Sequence, residues 1–259
     1  MKHKEIASPE NPDMKMFQRL TRARGIKKYG MALMWGPKQV SEVLREFPDR
    51  VAGIILTRTH KAPEGSETGD IPFYELSPDL FREIDRFGTG SPVLLIGVDT
   101  LPRWFPHKPW PAGCTLCVPF QDPANVGAAL RCAAAFGVSR VVILKEAAHP
   151  FLPKSIRAAG SSVFRTPLYQ GPSLDRITET GPSMITLSPA GRDIRTYRFP
   201  RTFCLIPGLE GPGLPAHLRQ PTPLSIPMAV GVDSLNAALA TGIALYQWRN
   251  RGSNLGEGG

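Results

Sequence analysis

Cysteine is scarce. Four in 259 residues are too few for a disulfide framework, in a chain long enough to bury a core of its own. Cys114 and Cys117 lie in the apolar run CTLCVPF, with no second pair of thiols or histidines at metal-ligand spacing, which argues against a zinc site. No apolar run approaches the roughly 18 residues of a membrane span, and the opening MKHKEIASPENPD has no apolar centre of the kind a secretion signal needs. These absences point to a cytoplasmic protein and away from a membrane. GxxxxGK[ST], GxSxG and HExxH are all missing, and GLEGPGLP has neither the third glycine nor the spacing of a dinucleotide fingerprint. There is no internal repeat.

Acidic side chains are also in deficit, with 22 Asp and Glu against 31 Lys and Arg, a formal charge of +9. That balance suits a partner made of phosphates, although a basic surface by itself can serve solubility alone. The densest positive stretch is MKMFQRLTRARG, read as a short helix over residues 14–24, where Lys15, Arg19, Arg22 and Arg24 are followed by Lys27 and Lys28. These six are the candidate contacts to a phosphate backbone.

Hydropathy patterning divides the rest. Over residues 14–100, strand-like runs (YGMALMWG, VAGIILT, IPFYEL, PVLLIGV) alternate with helix patterns (PKQVSEVLREF, SPDLFREIDRF), which implies a small α/β unit. Residues 101–112, rich in Pro and Trp, read as a linker. Residues 113–251 then carry near-continuous apolar strands separated by helices, the pattern of a mainly parallel sheet covered on both faces. Such a sheet places its ligand site beyond the carboxyl ends of its strands. The last residues, 252–259, have the composition of a disordered tail.

Three long uncharged runs in the second unit each hold one charge. Between Pro123 and Ser139 it is Arg131, in a helix of small apolar residues that Asp122 can cap, Pro123 can open and Gly137 can close. A helix apolar all round is expected to be buried, so its guanidinium calls for an anion or dense hydrogen bonding. Between Thr202 and Ala216 it is Glu210, set among glycines. Between Gln220 and Gln247 it is Asp233, just ahead of Ser234, Leu235 and Asn236, where the final helix should start. Taken singly, Glu210 could be an exposed turn residue, Asp233 or Ser234 a helix cap, and Arg131 the partner of a structural carboxylate. Three strand-to-helix junctions of one sheet converge on one edge, which favours a shared site.

DPANVGAALRCAAAFG, IPGLEGPGL and SIPMAVGVDSLNAALATGIAL resemble, in order and spacing, the three signature motifs of the SpoU (TrmH) branch of the SPOUT RNA methyltransferases. The resemblance implies a trefoil-knotted C-terminal α/β domain with a parallel sheet, S-adenosyl-L-methionine as methyl donor, a ribose 2′-hydroxyl of RNA as acceptor, and a homodimer. The N-terminal unit resembles, more weakly, a ribosomal-protein-like RNA-binding domain, which favours ribosomal over transfer RNA. The alternative is a noncatalytic knotted RNA-binding or ribosome-assembly protein. Position by position, the resemblance gives catalytic roles to Asn125, Arg131, Glu210, Ser234 and Asn236. It gives cofactor contacts to Gly208, Ile226, Met228 and Leu235, with Leu187 and Ser188 of TLSPAG lining the same pocket. Two positions depart from the pattern: Leu209 replaces a small polar residue, and Trp35 stands where a Glu often precedes the glycine. The final helix carries Ala237, Ala238, Ala240, Gly242 and Ala244, small residues suited to close packing in a core or, as the resemblance favours, across a dimer interface.

Overall fold

The computed structural model describes residues 3–66, 70–105, 109–177, 183–208, 222–232 and 234–252. The chain divides into two compact units, Met1–Thr100 with Phe151–Phe164, and Leu101–Pro150 with Arg165–Gly259.

The first unit opens with β1 (His3–Ile6), α1 (Pro12–Arg19), α2 (Ala23–Tyr29), β2 (Met31–Met34), α3 (Pro37–Glu46), β3 (Val51–Leu56), β4 (Phe73–Leu76), α4 (Pro78–Ile84) and β5 (Val93–Gly97). Its sheet has the order β1-β4-β3-β5-β2, with β5 antiparallel to both of its neighbours and the other pairs parallel. Side chains alternate across it: Leu33, Trp35, Val93 and Leu95 join Met14, Phe17, Leu80 and Phe81 in one cluster. Three features differ from the sequence reading. β1 precedes residue 14, because its polar outer face hides a four-residue strand pairing with β4. The basic stretch forms two helices, not one. The chain turns so tightly at Leu20 that a Cβ on Gly25 would lie 2.0 Å from the Arg19 carbonyl oxygen, an approach only glycine allows. Trp35 is buried, donating from Nε1 to the Ile84 carbonyl at 3.0 Å, so its departure from the expected Glu serves the core.

The second unit contains β6 (Gly113–Val118), α5 (Pro123–Ala135), β7 (Arg140–Ile143), β8 (Leu168–Gln170), β9 (Ser183–Asp193), β10 (Thr202–Ile206), β11 (Thr222–Ser225) and α7 (Ala237–Gly252). Its six strands run in the order β11-β9-β10-β6-β7-β8, and all pairs are parallel. Both faces are therefore covered, as the apolar strands anticipate. Between β7 and β8 the chain leaves this unit, and helix α6 (Pro153–Ala159) packs in the first, against β2. There Ile156 and Ala159 are buried, and Ser161 donates to Glu42 at 2.8 Å. The expected boundary at residue 113 is thus crossed by a 14-residue excursion whose apolar side chains find their core elsewhere. The proposed linker is part of this unit: Trp104 is 5% exposed and meets Trp110 edge to face at 5.3 Å. Its backbone N–H donates to the Gln170 carbonyl at 2.9 Å. The expected tail lies, apart from Gly252, outside the described residues.

Candidate active site

Parallel pairing puts the carboxyl ends of β6, β9, β10 and β11 along one edge; segments singled out in the sequence follow β6, β10 and β11, and Leu187 and Ser188 lie within β9 itself. After β6 comes α5. The Asp122 side chain accepts from Ala124 N–H at 3.0 Å, and Pro123 occupies the first turn. At the far end, Gly137 has φ 64° and Val138 N–H returns to the Ala133 carbonyl at 2.9 Å, closing the helix with a left-handed glycine turn.

Asn125, on the first turn of α5, is 6% exposed. Its Oδ1 accepts a hydrogen bond from Nδ2 of Asn236 at 2.9 Å. Asn236 caps α7, where its own Oδ1 accepts from Ala238 N–H at 3.0 Å and Leu239 N–H at 3.1 Å. Two backbone donors at one end of the Asn236 amide leave Nδ2 as the end facing Asn125. That in turn requires Oδ1 of Asn125 to accept. The cap therefore fixes the orientation of a buried amide 111 residues earlier in the chain. It also refines the expected start of the helix, since Ser234 and Leu235 precede it and Asn236, not Ser234, is the capping residue.

Gly208 and Leu187 also meet. A Cβ on Gly208 would lie 3.4 Å from the Leu187 carbonyl oxygen, so glycine keeps open a space that a side chain would occupy. Leu187 starts a break in the ladder. β11 pairs Pro223 with Thr186 and the next residue, Leu224, with Arg192, leaving residues 187–191 bulged out of register. Gly191 permits the bulge, because a Cβ there would stand 2.6 Å from backbone carbons of Pro223 and Leu224. The hydropathy pattern does not show this bulge; Pro189 and Gly191 inside a strand-like run are its signal. Ser188, Ile226, Met228 and Leu235 are all half-buried, while Ser234 is exposed.

Arg131 is not brought to Asn125 within the chain. Six helical residues place it about 9 Å along the axis and about 120° around it, and it is exposed. The expected burial of its guanidinium is thus not seen, since α5 buries the Asn125, Val126, Ala129 and Leu130 side and leaves Arg131 outside. Glu210, Leu209 and Asp233 lie outside the described residues. Among the remaining predicted contacts, Lys15 pairs with Glu10 and Arg19 donates to the Tyr29 hydroxyl at 3.0 Å, while Arg22, Arg24, Lys27 and Lys28 are exposed. Among the described residues no helix is long and apolar enough to cross a membrane.

Beneath the site, Cys117 and Cys204 bring their sulfurs to 3.4 Å across adjacent strands. Their mutual hydrogen bond and their burial push the Cys117 thiol well above its ordinary pKa. Burial first, and proximity to Cys204 second, do the same for Cys114. These thiols are neutral core groups.

Residues 115–246 match the family described as the SpoU rRNA Methylase family. The chain is 46% identical, over 96% of its length, to ribosomal RNA small subunit methyltransferase G 2 of Syntrophobacter fumaroxidans, and spans 50% of that protein. It is 30% identical to the 23S rRNA (guanosine(2553)-2′-O)-methyltransferase RlmP of Bacillus subtilis, over 95% of this chain and 99% of that one. Among solved structures, an AdoMet-bound rRNA methyltransferase from Sinorhizobium meliloti superposes with a TM-score of 0.77 at 25% identity, covering 96% of this chain and 98% of its own.

Proposed function

The chain belongs to the SpoU rRNA methylase family, and from that premise we propose that it transfers a methyl group from S-adenosyl-L-methionine to a ribose 2′-hydroxyl of ribosomal RNA. The observation that carries this reading is the Asn125–Asn236 bond at the edge where Gly208 and Leu187 converge. Two amides from distant motifs are hydrogen-bonded to each other, and the backbone at Gly208 runs close to the Leu187 carbonyl.

S-adenosyl-L-methionine supplies, when bound, a methyl group activated on a sulfonium. Gly208 and the Leu187–Ser188 bulge would hold its polar parts through backbone groups, and Ile226, Met228 and Leu235 would wall its apolar side. Asn125 and Asn236 fix the edge against which the ribose is positioned, and alignment of donor and acceptor is the larger part of the task. Arg131 presents a planar guanidinium that matches an RNA phosphate and stabilises negative charge developing on the 2′-oxygen. Glu210 and Ser234 complete the polar set. The role assigned to Arg131 is that of a clamp on the phosphate and the developing oxyanion.

The same reading extends to the assembly. Leu239 and Tyr246 on α7 are each 54% exposed, and Val230 and Val232 are exposed with them, an apolar surface suited to a second copy of the chain. Ala238 and Ala244, by contrast, are buried, and Gly242 packs on Cys132 of α5, so those small residues serve the core. Arg131 faces outward within one chain, on a surface that a second copy of the chain would cover. The parallel sheet of the second unit is the frame for a trefoil knot, and the first unit, with its exposed Arg22, Arg24, Lys27 and Lys28, for a ribosomal-protein-like RNA-binding domain.

The test is mapping of 2′-O-methyl sites in ribosomal RNA from cells with and without the protein, together with transfer of labelled methyl to that RNA by the purified chain. One site that disappears with the wild-type gene and is not restored by Arg131→Lys supports both the activity and the clamp. Full activity of Arg131→Lys with intact RNA binding removes the clamp, and an unchanged methylation map removes the activity.

A further inference from the structure

The excess positive charge is not where the basic helices suggest. The first unit holds seventeen Lys and Arg against fourteen Asp and Glu, the second fourteen against eight. Most of the net charge therefore belongs to the unit that carries the candidate active site. Its densest source is the connection from β9 to β10, GRDIRTYRFPRT, in which Arg192, Arg195, Arg198 and Arg201 recur at every third residue with one acid among them.

This connection has a fixed course. β9 and β10 are parallel neighbours, so it must return the chain from the carboxyl edge to the amino edge of the sheet. Arg192 stands opposite Leu224, directly after the 187–191 bulge, and Leu224 lies two residues before Ile226. Ile194 N–H then donates to the Ser225 carbonyl at 3.0 Å. At the other end, Arg201 precedes Thr202, which pairs with Gly113 at the start of β6. A strand of β6's six residues is about 17–20 Å long, and the arginines are strung along that distance.

All four arginines are exposed. Arg195 pairs with Asp193 at 2.7 Å; among the described residues, no carboxylate pairs with Arg192, Arg198 or Arg201. The backbone beneath them is held by a row of rings. Ile194 is buried, Tyr197 meets Phe199 edge to face at 5.2 Å, Phe199 meets Phe203 of β10 at 5.2 Å, and Phe203 meets Trp248 of α7 at 5.5 Å. The Arg192 guanidinium lies 5.9 Å from the Tyr197 ring. A flexible basic tail would lose ordering entropy on binding; here the cations are already mounted on a packed aromatic base.

We propose that residues 192–201 form an RNA-backbone track, in which Arg192, Arg198 and Arg201 hold the phosphates of a single strand and lead it from the methyl-transfer edge along the sheet. Exposed guanidiniums with an aromatic base suit sequence-tolerant contact to a single strand. The inference rests on the proposed RNA methylation, and it names which part of the catalytic unit grips the substrate.

The experiment uses the full chain, protein-free ribosomal RNA and the triple variant Arg192→Gln, Arg198→Gln, Arg201→Gln. Affinity is measured between roughly 50 and 200 mM salt. Three lost single-strand phosphate contacts should make the plot of log Kd against log salt shallower by about two. The loss should appear in KM for RNA and not in Kd for S-adenosyl-L-methionine, and the triple lysine variant should recover most of the slope. An unchanged slope and KM overturn the track while leaving the methyltransferase reading intact. A wild-type chain that neither binds nor methylates RNA overturns that reading, and the track with it. If the triple variant also loses cofactor affinity, the bulge beside Arg192 has been disturbed. The pair Arg198→Gln, Arg201→Gln, remote from the bulge, then decides: a slope reduced by more than about one supports the track, and no change overturns it.

Discussion

Replacing Asn236 separates two functions that one side chain performs, capping α7 and orienting Asn125. Serine at 236 can still accept from the helix N–H groups, but it is too short to reach Oδ1 of Asn125. The bridge is then lost from an amide that is 6% exposed, and a buried acceptor deprived of its donor costs about 1–3 kcal/mol. Alanine loses the cap as well, adding about 0.5–2 kcal/mol. Aspartate keeps the cap and obliges Asn125 to turn its amide and donate, so it should fall between wild type and serine. The expected order of stability is Asn, Asp, Ser, Ala. Urea unfolding followed by tryptophan fluorescence reads it selectively, because Trp104, Trp110 and Trp248 lie in the second unit and only Trp35 in the first. A double-mutant cycle with Asn125→Ala isolates the bridge. Contacting groups should couple by about 0.5–3 kcal/mol, and additivity within about 0.5 kcal/mol would refute the contact as an energetic link. Methyl transfer should fall about ten- to a hundredfold in Asn236→Ser, since a displacement of about 1 Å costs on that order.

The bulge and the thiols give further expectations. Gly191→Ala forces a Cβ to within 2.6 Å of β11 backbone, which cannot move aside as a side chain would; overpacking of about 1–3 kcal/mol or more should lower the urea midpoint and, through the bulge, cofactor affinity by calorimetry. Gly208→Val should change the free energy of unfolding by no more than about 1 kcal/mol, yet abolish cofactor binding, and retained affinity would show that the space beside Leu187 is not the cofactor's. Burial raises the Cys114 thiol, and a shared hydrogen bond with Cys204 raises Cys117, so the folded chain keeps protons that the unfolded chain releases near pH ~8.5. Stability from this source is complete below that value and is lost as pH rises through it. The urea midpoint should therefore fall between neutral pH and pH ~10, and fall less in the variant Cys114→Ala, Cys117→Ala; equal slopes would assign the loss to other groups.

What the sequence made legible follows from how local its causes were. The start and end of α5 could be read because Asp122, Pro123 and Gly137 act on their own neighbours, and the parallel sheet because strands buried on both faces must be apolar throughout. The basic stretch was read as one helix because the break depends on a contact, Gly25 against the Arg19 carbonyl, that hydropathy does not register. Residues 151–164 were assigned to the wrong unit for a related reason: an apolar helix face shows that a partner exists without showing which one.

Arg131 shows where that limit bears on chemistry. Its isolation in an uncharged helix was visible, and burial followed as an expectation, yet the fold buries the Asn125 side of α5 and turns Arg131 outward. A helix of small residues can be apolar because it is covered by α7 on one side and by a second molecule on another, and composition does not distinguish the two. The structure resolves the first cover, through Gly242 on Cys132 and the Asn236 cap. The second is open to a direct measurement. If a homodimer covers Arg131, Leu239→Glu and Tyr246→Glu should yield a monomer in sedimentation with the Asn125–Asn236 lock intact, and methyl transfer should fall with dimer content. A monomeric wild type that transfers methyl at full rate would remove the homodimer from the reaction.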